Sequence, residues 1–241
     1  MIKFTVFGCS HTNWITPTWA DIINLEKDIE VVNLALAGRG NEFISQSIWK
    51  HLQNHDLSND FVVVQWSYAT RIFEFIKPGD GWKTYYKDVV QRSNNRLHTN
   101  VDYDWVYTNV DYNWLIEKRT AIQEYVDTFL SAKKLNYGYF YSDNHGNYKI
   151  DSKTISSEKL WATDENSYNF KKYKGFVNKG YDSHGNVLVH LERAEKVKKY
   201  FGLPKISKET NSKVLRLHEY LLNNPKPKEA KVNAILLGFT N

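Results

Sequence analysis

An almost unbroken apolar stretch over residues 60–66 constrains the fold of this chain more than any other feature, and Val62, Val63 and Val64 lie at its centre. A strand reads as continuously apolar when helices cover both faces of its sheet, which is typical of parallel sheets. Two more strands are predicted before it, over residues 2–7 and 30–35, and an amphipathic helical pattern follows each of them. This order predicts an α/β fold, a three-layer α/β/α sandwich with a central, mainly parallel sheet whose first strand is central.

The first connection is predicted to be a tight strand-to-helix turn. Gly8 follows the first strand, Ser10 comes two residues later, and Thr16 is predicted to cap a helix that begins at Pro17. In such a turn a glycine permits the bend, the serine hydroxyl stands clear of the sheet edge, and N–H groups near the helix start point towards an anion. Ser10 is therefore a candidate nucleophile; the alternative is that it serves only as a partial helix cap.

Three turns are expected to meet at one edge of the predicted sheet. Ser10, Gly38 and Ser67 each come after a predicted strand, and Asn41 is predicted to cap the helix that follows Gly38. Because the carboxyl ends of parallel strands share an edge, and ligands collect there in open α/β sheets, these residues are candidates for one site.

The rest of the chain is predicted to complete one domain with insertions. A fourth strand is expected over residues 135–141 and helices over residues 187–201, capped by Asn186, and 214–222. Residues 1–204 then form the domain, with insertions at about 77–112 and 142–180, and residues 205–241 form a helix-strand extension that ends in an apolar run over 232–239. The first insertion is rich in aromatic residues and is either a functional loop or a packed surface subdomain.

The composition argues against several classes of protein. The 241-residue chain has one cysteine, so it forms no internal disulfide or cysteine metal cluster, and no metal or cofactor is predicted. It has neither a membrane-spanning apolar run nor a signal-peptide pattern, which predicts a cytoplasmic protein with no membrane partner. The net charge of +5 is modest and no binding motif accompanies it, so no nucleic-acid partner is expected. The sequence leaves the oligomeric state open.

A serine nucleophile needs a general base and a group that orients this base. Asp182 and His184 supply both types two residues apart, in the turn before a predicted helix. His11 is a rival base, but adjacent residues in a strand-to-helix turn diverge, so contact with substrate or solvent is the better role for it. His190 lies inside the predicted helix, where a packing or capping role is favoured.

Four segments resemble the motifs of the SGNH hydrolases, also called the GDSL family, and they occur in the family's order. Residues 8–10 resemble the Gly-Asp-Ser of the first motif, residues 33–38 the second motif, residues 62–67 the strand that leads to the third, and residues 182–190 the last. The resemblance implies a flavodoxin-like fold and a triad of Ser10, His184 and Asp182. It also implies an oxyanion hole that includes the N–H groups of Ser10 and Gly38.

Two motifs depart from the family pattern. Cys9 stands where the first motif has aspartate, and it is predicted to be a buried small hydrophobe rather than the nucleophile. The third motif's Gly-x-Asn-Asp is absent, together with the asparagine that donates to the oxyanion. Candidates for this donor are Ser67, Tyr68 and Asn41, with Arg71 as a source of charge stabilisation. The predicted substrate contacts are His11, Trp66, Tyr68 and Arg71.

The resemblance implies a serine esterase or acylhydrolase that acts on a small-molecule or carbohydrate ester, with O-acetyl groups among the candidate substrates. An acyltransferase that uses the same triad is a chemical alternative. The altered third motif and the long insertions favour another class, a catalytically degenerate SGNH-fold module with a binding or structural role. Turnover of an activated ester, compared between the natural chain and its Ser10→Ala variant, distinguishes the two classes.

Overall fold

The computed structural model describes residues 1–9, 12–13, 17–68, 71–77, 81–86, 111–141, 151–156 and 187–223. Its strands are β1 (Ile2–Phe7), β2 (Ile29–Asn33), β3 (Phe61–Trp66), β4 (Arg71–Lys77), β5 (Gly81–Tyr86), β6 (Asn136–Tyr141) and β7 (Thr154–Ser156). Its helices are α1 (Trp19–Asn24), α2 (Asn41–Asn54), α3 (Tyr112–Ala132), α4 (Val187–Tyr200) and α5 (Lys208–Asn223).

The main sheet has the predicted parallel arrangement, with β1 inside it. Its strands in the described ranges are parallel and follow the order β2-β1-β3-β6-β7. Helices cover both faces, so the predicted α/β sandwich with a mainly parallel sheet is confirmed. The connection from β1 to β2 runs through α1 on one face of the sheet, and the connection from β2 to β3 runs through α2 on the opposite face. The connections therefore diverge between β1 and β3, where sheets of this strand order bind their ligands.

Burial on both faces explains the apolar run in β3. Val63 belongs to a core cluster with side chains of α1, α4 and α5, whereas Val62 and Val64 belong to a second cluster with side chains of α2 and α3. Successive side chains of a strand point to opposite faces, so a strand between two helical layers needs apolar residues at consecutive positions.

The start of α1 differs from the sequence prediction. The N-cap is Thr18, not Thr16, and Pro17 precedes the helix instead of opening it. The Asp21 carboxylate accepts a hydrogen bond from the Thr18 N–H at 2.8 Å, which is half of a capping box. Burial raises the pKa of Asp21 although hydrogen bonds from Thr18 favour its charged form. The Thr18 hydroxyl is 2.8 Å from the carbonyl oxygen of Thr12, so a tertiary contact helps to select this cap.

The C-terminal helix is packed on the main core. α5 contributes Val214, Leu217 and Leu221 to the cluster that contains residues of α1 and α4. The division of the chain at residue 204 stays a prediction, as do the insertions, and the apolar run over residues 232–239 lies outside the described residues. Among the helices in the described ranges, none combines the length and the apolar character needed to cross a bilayer.

Three strands were not anticipated from the sequence. β4 and β5 pair antiparallel in a sheet of their own, and the short β7 pairs with β6 at the edge of the main sheet. Residues 71–77 are rich in isoleucine and phenylalanine, which is a strand signal that could have revealed β4. Three residues, the length of β7, are too few for a periodic pattern.

Candidate active site

The carboxyl ends of β1, β2 and β3 form one edge of the sheet, here called the carboxyl edge. β1 ends at Phe7, β2 at Asn33 and β3 at Trp66, and the strands are parallel neighbours. Gly8, Gly38 and Ser67 follow these ends, as the sequence predicted. Ser10 and His11 lie outside the described residues, whereas the residues on either side of them, Cys9 and Thr12, are described.

The chain turns sharply after β1. The Cys9 carbonyl oxygen accepts hydrogen bonds from the N–H of Thr12 at 3.0 Å and of Asn13 at 3.2 Å. A Cβ atom placed on Gly8 would lie 2.5 Å from Thr12 Oγ1 and 3.2 Å from Gln65 Cβ, which is closer than side chains pack. Gly8 is therefore needed for a close approach of the chain to itself.

Buried side chains hold Thr12 in place. Gln65 is fully buried, and its Oε1 accepts hydrogen bonds from Thr12 Oγ1 and from Trp19 Nε1, both at 2.8 Å. The Thr12 carbonyl oxygen accepts two more, from Thr18 Oγ1 and Asn33 Nδ2, also at 2.8 Å. The chain is thus fixed just before and just after position 10. Sequence reasoning missed Gln65, although a polar residue inside an apolar strand was a usable signal.

Gly38 lies in an exposed turn between β2 and α2. Its φ of +75° is in the left-handed region, which favours glycine, and a Cβ atom placed there would meet no atom of the described residues within 4 Å. A side chain at this position would therefore not clash with the described part of the carboxyl edge. Both observations agree with a residue whose peptide group faces a ligand.

Asn41 and Ser67 are joined by reciprocal hydrogen bonds. Asn41 Oδ1 accepts from the Ser67 N–H at 2.8 Å, and Asn41 Nδ2 donates to the carbonyl oxygens of Ser67 and Tyr68 at 3.2 and 3.3 Å. The amide of Asn41 is fully used by these bonds, so its role is to hold the chain after β3. In contrast, Ser67 is only 1% exposed, and its hydroxyl has no hydrogen-bond partner in the described part of the chain.

Two other candidates are buried. Trp66 is 2% exposed and belongs to the core cluster beneath α2 and α3, which favours a packing role over a substrate contact. His190 is 1% exposed, and its Nδ1 accepts a hydrogen bond from the Trp19 N–H at 3.3 Å, at the start of α1. This contact matches the packing or capping role predicted for His190.

The predicted burial of Cys9 is confirmed, since its side chain has no exposed surface.

The predicted triad partners Asp182 and His184 lie outside the described residues. Arg71 is the first residue of β4, and the position of its side chain stays a prediction. Tyr68 is half-buried beside Ser67. In the described ranges, no three His, Cys, Asp or Glu residues form a group that could hold a metal ion.

Comparisons with known proteins give only distant likenesses, and these are to solved structures. No family model matches the chain, and no curated protein matches it. Among solved structures, it is similar to a member of the lipolytic protein G-D-S-L family from Veillonella parvula DSM 2008. The identity is 10% and the TM-score is 0.39, over 84% of this chain and 99% of that chain. The likeness is distant and concerns the fold alone.

Proposed function

We propose that this protein is a serine ester hydrolase of the SGNH type, with its active site at the carboxyl edge between β1 and β3. The observation that carries the proposal is the convergence of three features at this edge. Ser10 comes in the sequence between Cys9 and Thr12, which a hydrogen bond joins after β1. The exposed Gly38 follows β2, and β3 is followed by Ser67, whose buried hydroxyl has no hydrogen-bond partner among the described residues. Ligands bind at this point of the sheet in folds with this strand order.

In the proposed reaction, Ser10 Oγ attacks the carbonyl carbon of an ester while His184 takes its proton, and Asp182 orients the imidazole. The negative charge that develops on the carbonyl oxygen is stabilised by the N–H groups of Ser10 and Gly38. The tetrahedral intermediate collapses as the alcohol leaves with the proton from His184. Water, deprotonated by His184, then attacks the acyl-serine, and the carboxylic acid leaves as His184 returns the proton to Ser10 Oγ.

Ser67 is proposed as the side-chain donor of the oxyanion hole in place of the family's asparagine. The other candidate, Asn41, already uses both polar atoms of its amide on residues 67 and 68. A buried hydroxyl without a partner is costly in the resting protein and is satisfied only when an acceptor arrives. This agrees with a donor that is used in the transition state.

The start of α4 supports His184 as the base. His190, in the first turn of α4, contacts Trp19 at the start of α1, so this end of α4 packs beside the chain that leaves the carboxyl edge. His184 is three residues before Val187, the first residue of α4.

The proposed substrates are acyl esters, including O-acetylated carbohydrates, and the proposed substrate contacts are those predicted from the sequence. Trp66 is the least supported of them, because its ring is buried in the core. Transfer of the acyl group to an alcohol other than water follows the same steps and requires only that a second alcohol reach the acyl-serine.

The deciding experiment measures turnover of 4-nitrophenyl acetate by the natural chain and by two variants. We expect Ser10→Ala to abolish turnover and Cys9→Ala to retain it, since the thiol is buried. Circular dichroism confirms that each variant is folded. Turnover by a folded Ser10→Ala variant at the natural rate would exclude Ser10 as the nucleophile. Absence of turnover in the natural chain, with short acyl esters of both phenols and sugars, would instead favour the catalytically degenerate module.

A further inference from the structure

A cavity, here called the amino-edge cavity, opens at the end of the main sheet opposite the carboxyl edge. Ile2 and Ile29, the first residues of β1 and β2, line it together with the turn after α1 and the chain that links α4 to α5. Its volume is about 390 Å³. Since an apolar cavity of about 150 Å³ holds benzene, the amino-edge cavity has room for a molecule of two fused rings.

Part of the wall of this cavity is apolar and firmly held. The apolar side chains that line it are Ile2, Leu25, Ile29, Leu203 and Pro204. Ile29 belongs to the core cluster shared by α1, α4 and α5, and the half-buried Leu25 and Leu203 pack against the same cluster. A ligand that covers this wall removes apolar surface from water, which favours binding.

The polar side of the cavity contains a buried ammonium group. Lys198 is only 3% exposed, and an ammonium has three N–H donors. Two of them bond to Glu26 Oε2 and to the carbonyl oxygen of Lys205, and within the described residues the third is left for a further acceptor. The Glu26 carboxylate already accepts bonds from Lys198, the Ser207 N–H and Thr210. A ligand group that only accepts therefore fits better than one that must also donate.

The charges around the cavity are balanced. Its lining contains three basic and three acidic side chains, namely Lys27, Lys198 and Lys205, and Glu26, Asp28 and Glu209. Lys198 pairs with Glu26, and Lys27 lies 3.6 Å from Glu209. An ion that entered would lose its hydration without a net opposite charge to replace it. The cavity therefore favours an uncharged ligand.

We infer that the amino-edge cavity is a binding site for a small uncharged molecule that combines an apolar ring system with one carbonyl oxygen. The carbonyl oxygen accepts a hydrogen bond from Lys198, and the rings pack against the apolar wall. A carboxylate of the same shape binds less well, because its charge lies beside Glu26. The site is at the opposite end of the sheet from Ser10 and does not depend on the proposed function.

The test is a titration of the isotopically labelled full chain with three probes of similar shape, followed by NMR at the amides of Lys27, Ile29 and Leu203. The probes are α-tetralone, which is a bicyclic ketone, the parent hydrocarbon tetralin, and tetralin carboxylate. We expect saturable shifts with α-tetralone. Its affinity should be about tenfold higher than that of tetralin, which cannot accept the hydrogen bond from the ammonium, and higher than that of the carboxylate.

A variant of the wall tests the location of the site. Leu203→Trp places a larger side chain in the cavity and should abolish the binding of α-tetralone. Leu191→Trp is the matched control, because Leu191 is a half-buried leucine that packs on the same core cluster without lining the cavity. It should bind α-tetralone with the natural affinity. Equal affinities of the two variants, each folded by circular dichroism, would overturn the site.

A second variant tests the role of Lys198. The double change Lys198→Met and Glu26→Met removes both charges together, so that no buried charge is left without its partner. It should bind α-tetralone and tetralin equally well, whereas Lys27→Met, which removes an exposed charge from the lining, should keep the tenfold preference. The inference is overturned if α-tetralone causes no shifts in the natural chain. It is also overturned if tetralin or the carboxylate binds as tightly as α-tetralone, or if the double variant keeps the preference.

Discussion

Individual residues at the carboxyl edge have roles that their neighbours decide. Gly8 and Gly38 are both glycines in turns, but for different reasons. Gly8 is required because Thr12 Oγ1 approaches it too closely for any side chain, whereas Gly38 has a left-handed φ and no described residue within 4 Å of its Cβ position. A substitution at Gly38 should therefore alter the surface that a ligand meets while leaving the packing beneath it intact.

Gly202 provides a matched control for Gly38. Its φ of +70° is nearly the same, a Cβ atom there would also meet no described atom within 4 Å, and it follows α4 in the chain. We expect Gly38→Leu and Gly202→Leu to lower the free energy of unfolding by similar amounts, about 1 kcal/mol, because both force a left-handed conformation. Only Gly38→Leu should reduce kcat/KM for 4-nitrophenyl acetate. An equal kcat/KM for the two variants would argue against Gly38 in the oxyanion hole.

At the scale of an element, β6 carries three tyrosines on the face that packs against α3. The Tyr137 hydroxyl donates to Asp127 Oδ1 at 2.5 Å, and the Tyr139 hydroxyl donates to Asp151 Oδ2 at 2.8 Å. Burial and these carboxylates raise the pKa of Tyr137 and of Tyr139 far above the usual value. Burial and the charge of Asp151 raise the pKa of Tyr141 to about 12. The folded protein thus favours the neutral phenols.

This arrangement predicts a loss of stability in alkali. In the unfolded chain tyrosines ionise near pH 10, whereas in the folded protein the tyrosines of β6 ionise only at higher pH. The stabilisation that their neutral phenols provide is therefore complete below about pH 10 and declines above it. We expect the free energy of unfolding, measured with urea, to fall from about pH 10 to pH 12. Tyr139→Phe should make this decline shallower, whereas Tyr125→Phe, which changes an exposed ring on α3, should not. A Tyr139→Phe variant with the natural slope would contradict the prediction.

At the scale of the whole molecule, a buried ion pair joins three parts of the chain at the end of the sheet opposite the carboxyl edge. Lys198 of α4 is 2.5 Å from Glu26 Oε2, just after α1, and its Nζ also donates to the carbonyl oxygen of Lys205. Glu26 accepts a further hydrogen bond from the Ser207 N–H before α5. Burial alone would raise the pKa of Glu26, but hydrogen bonds from Lys198, Thr210 and Ser207 outweigh it and lower the pKa.

Removal of the ammonium group should destabilise the fold. Lys198→Met leaves the Glu26 carboxylate without its cation, and we expect a loss of about 3 kcal/mol at neutral pH. The pKa of Glu26 is lower in the folded than in the unfolded chain, so the charged carboxylate stabilises the fold above the unfolded pKa. This contribution disappears as the pH falls through the folded pKa, so the destabilisation caused by Lys198→Met should shrink in acid. Lys27→Met, which breaks the exposed pair with Glu209, is the control and should change little. Equal effects of the two variants on the free energy of unfolding would show that the buried pair stabilises the fold no more than the exposed pair does.

The amino-acid sequence by itself determined the fold class and the location of the candidate site. The apolar run in β3 and the periodic helices are local patterns, and burial on one or both faces produces such patterns directly. Once three parallel strands are recognised, topology alone predicts that the turns after β1, β2 and β3 meet at one edge, and the convergence of Ser10, Gly38 and Ser67 there stays a prediction. The triad of Ser10, His184 and Asp182 stays a prediction from motif resemblance.

Only the tertiary structure decided which polar groups are satisfied, and therefore what each can do. Asn41 was as good a candidate donor as Ser67 until reciprocal bonds across 26 residues of chain occupied its amide. Gln65 was missed, and the helix cap was placed two residues early, because their partners at Thr12 and Trp19 depend on how separate turns come together. Hydrogen bonds between distant segments leave no periodic trace in a sequence, since their geometry exists only after the layers have packed.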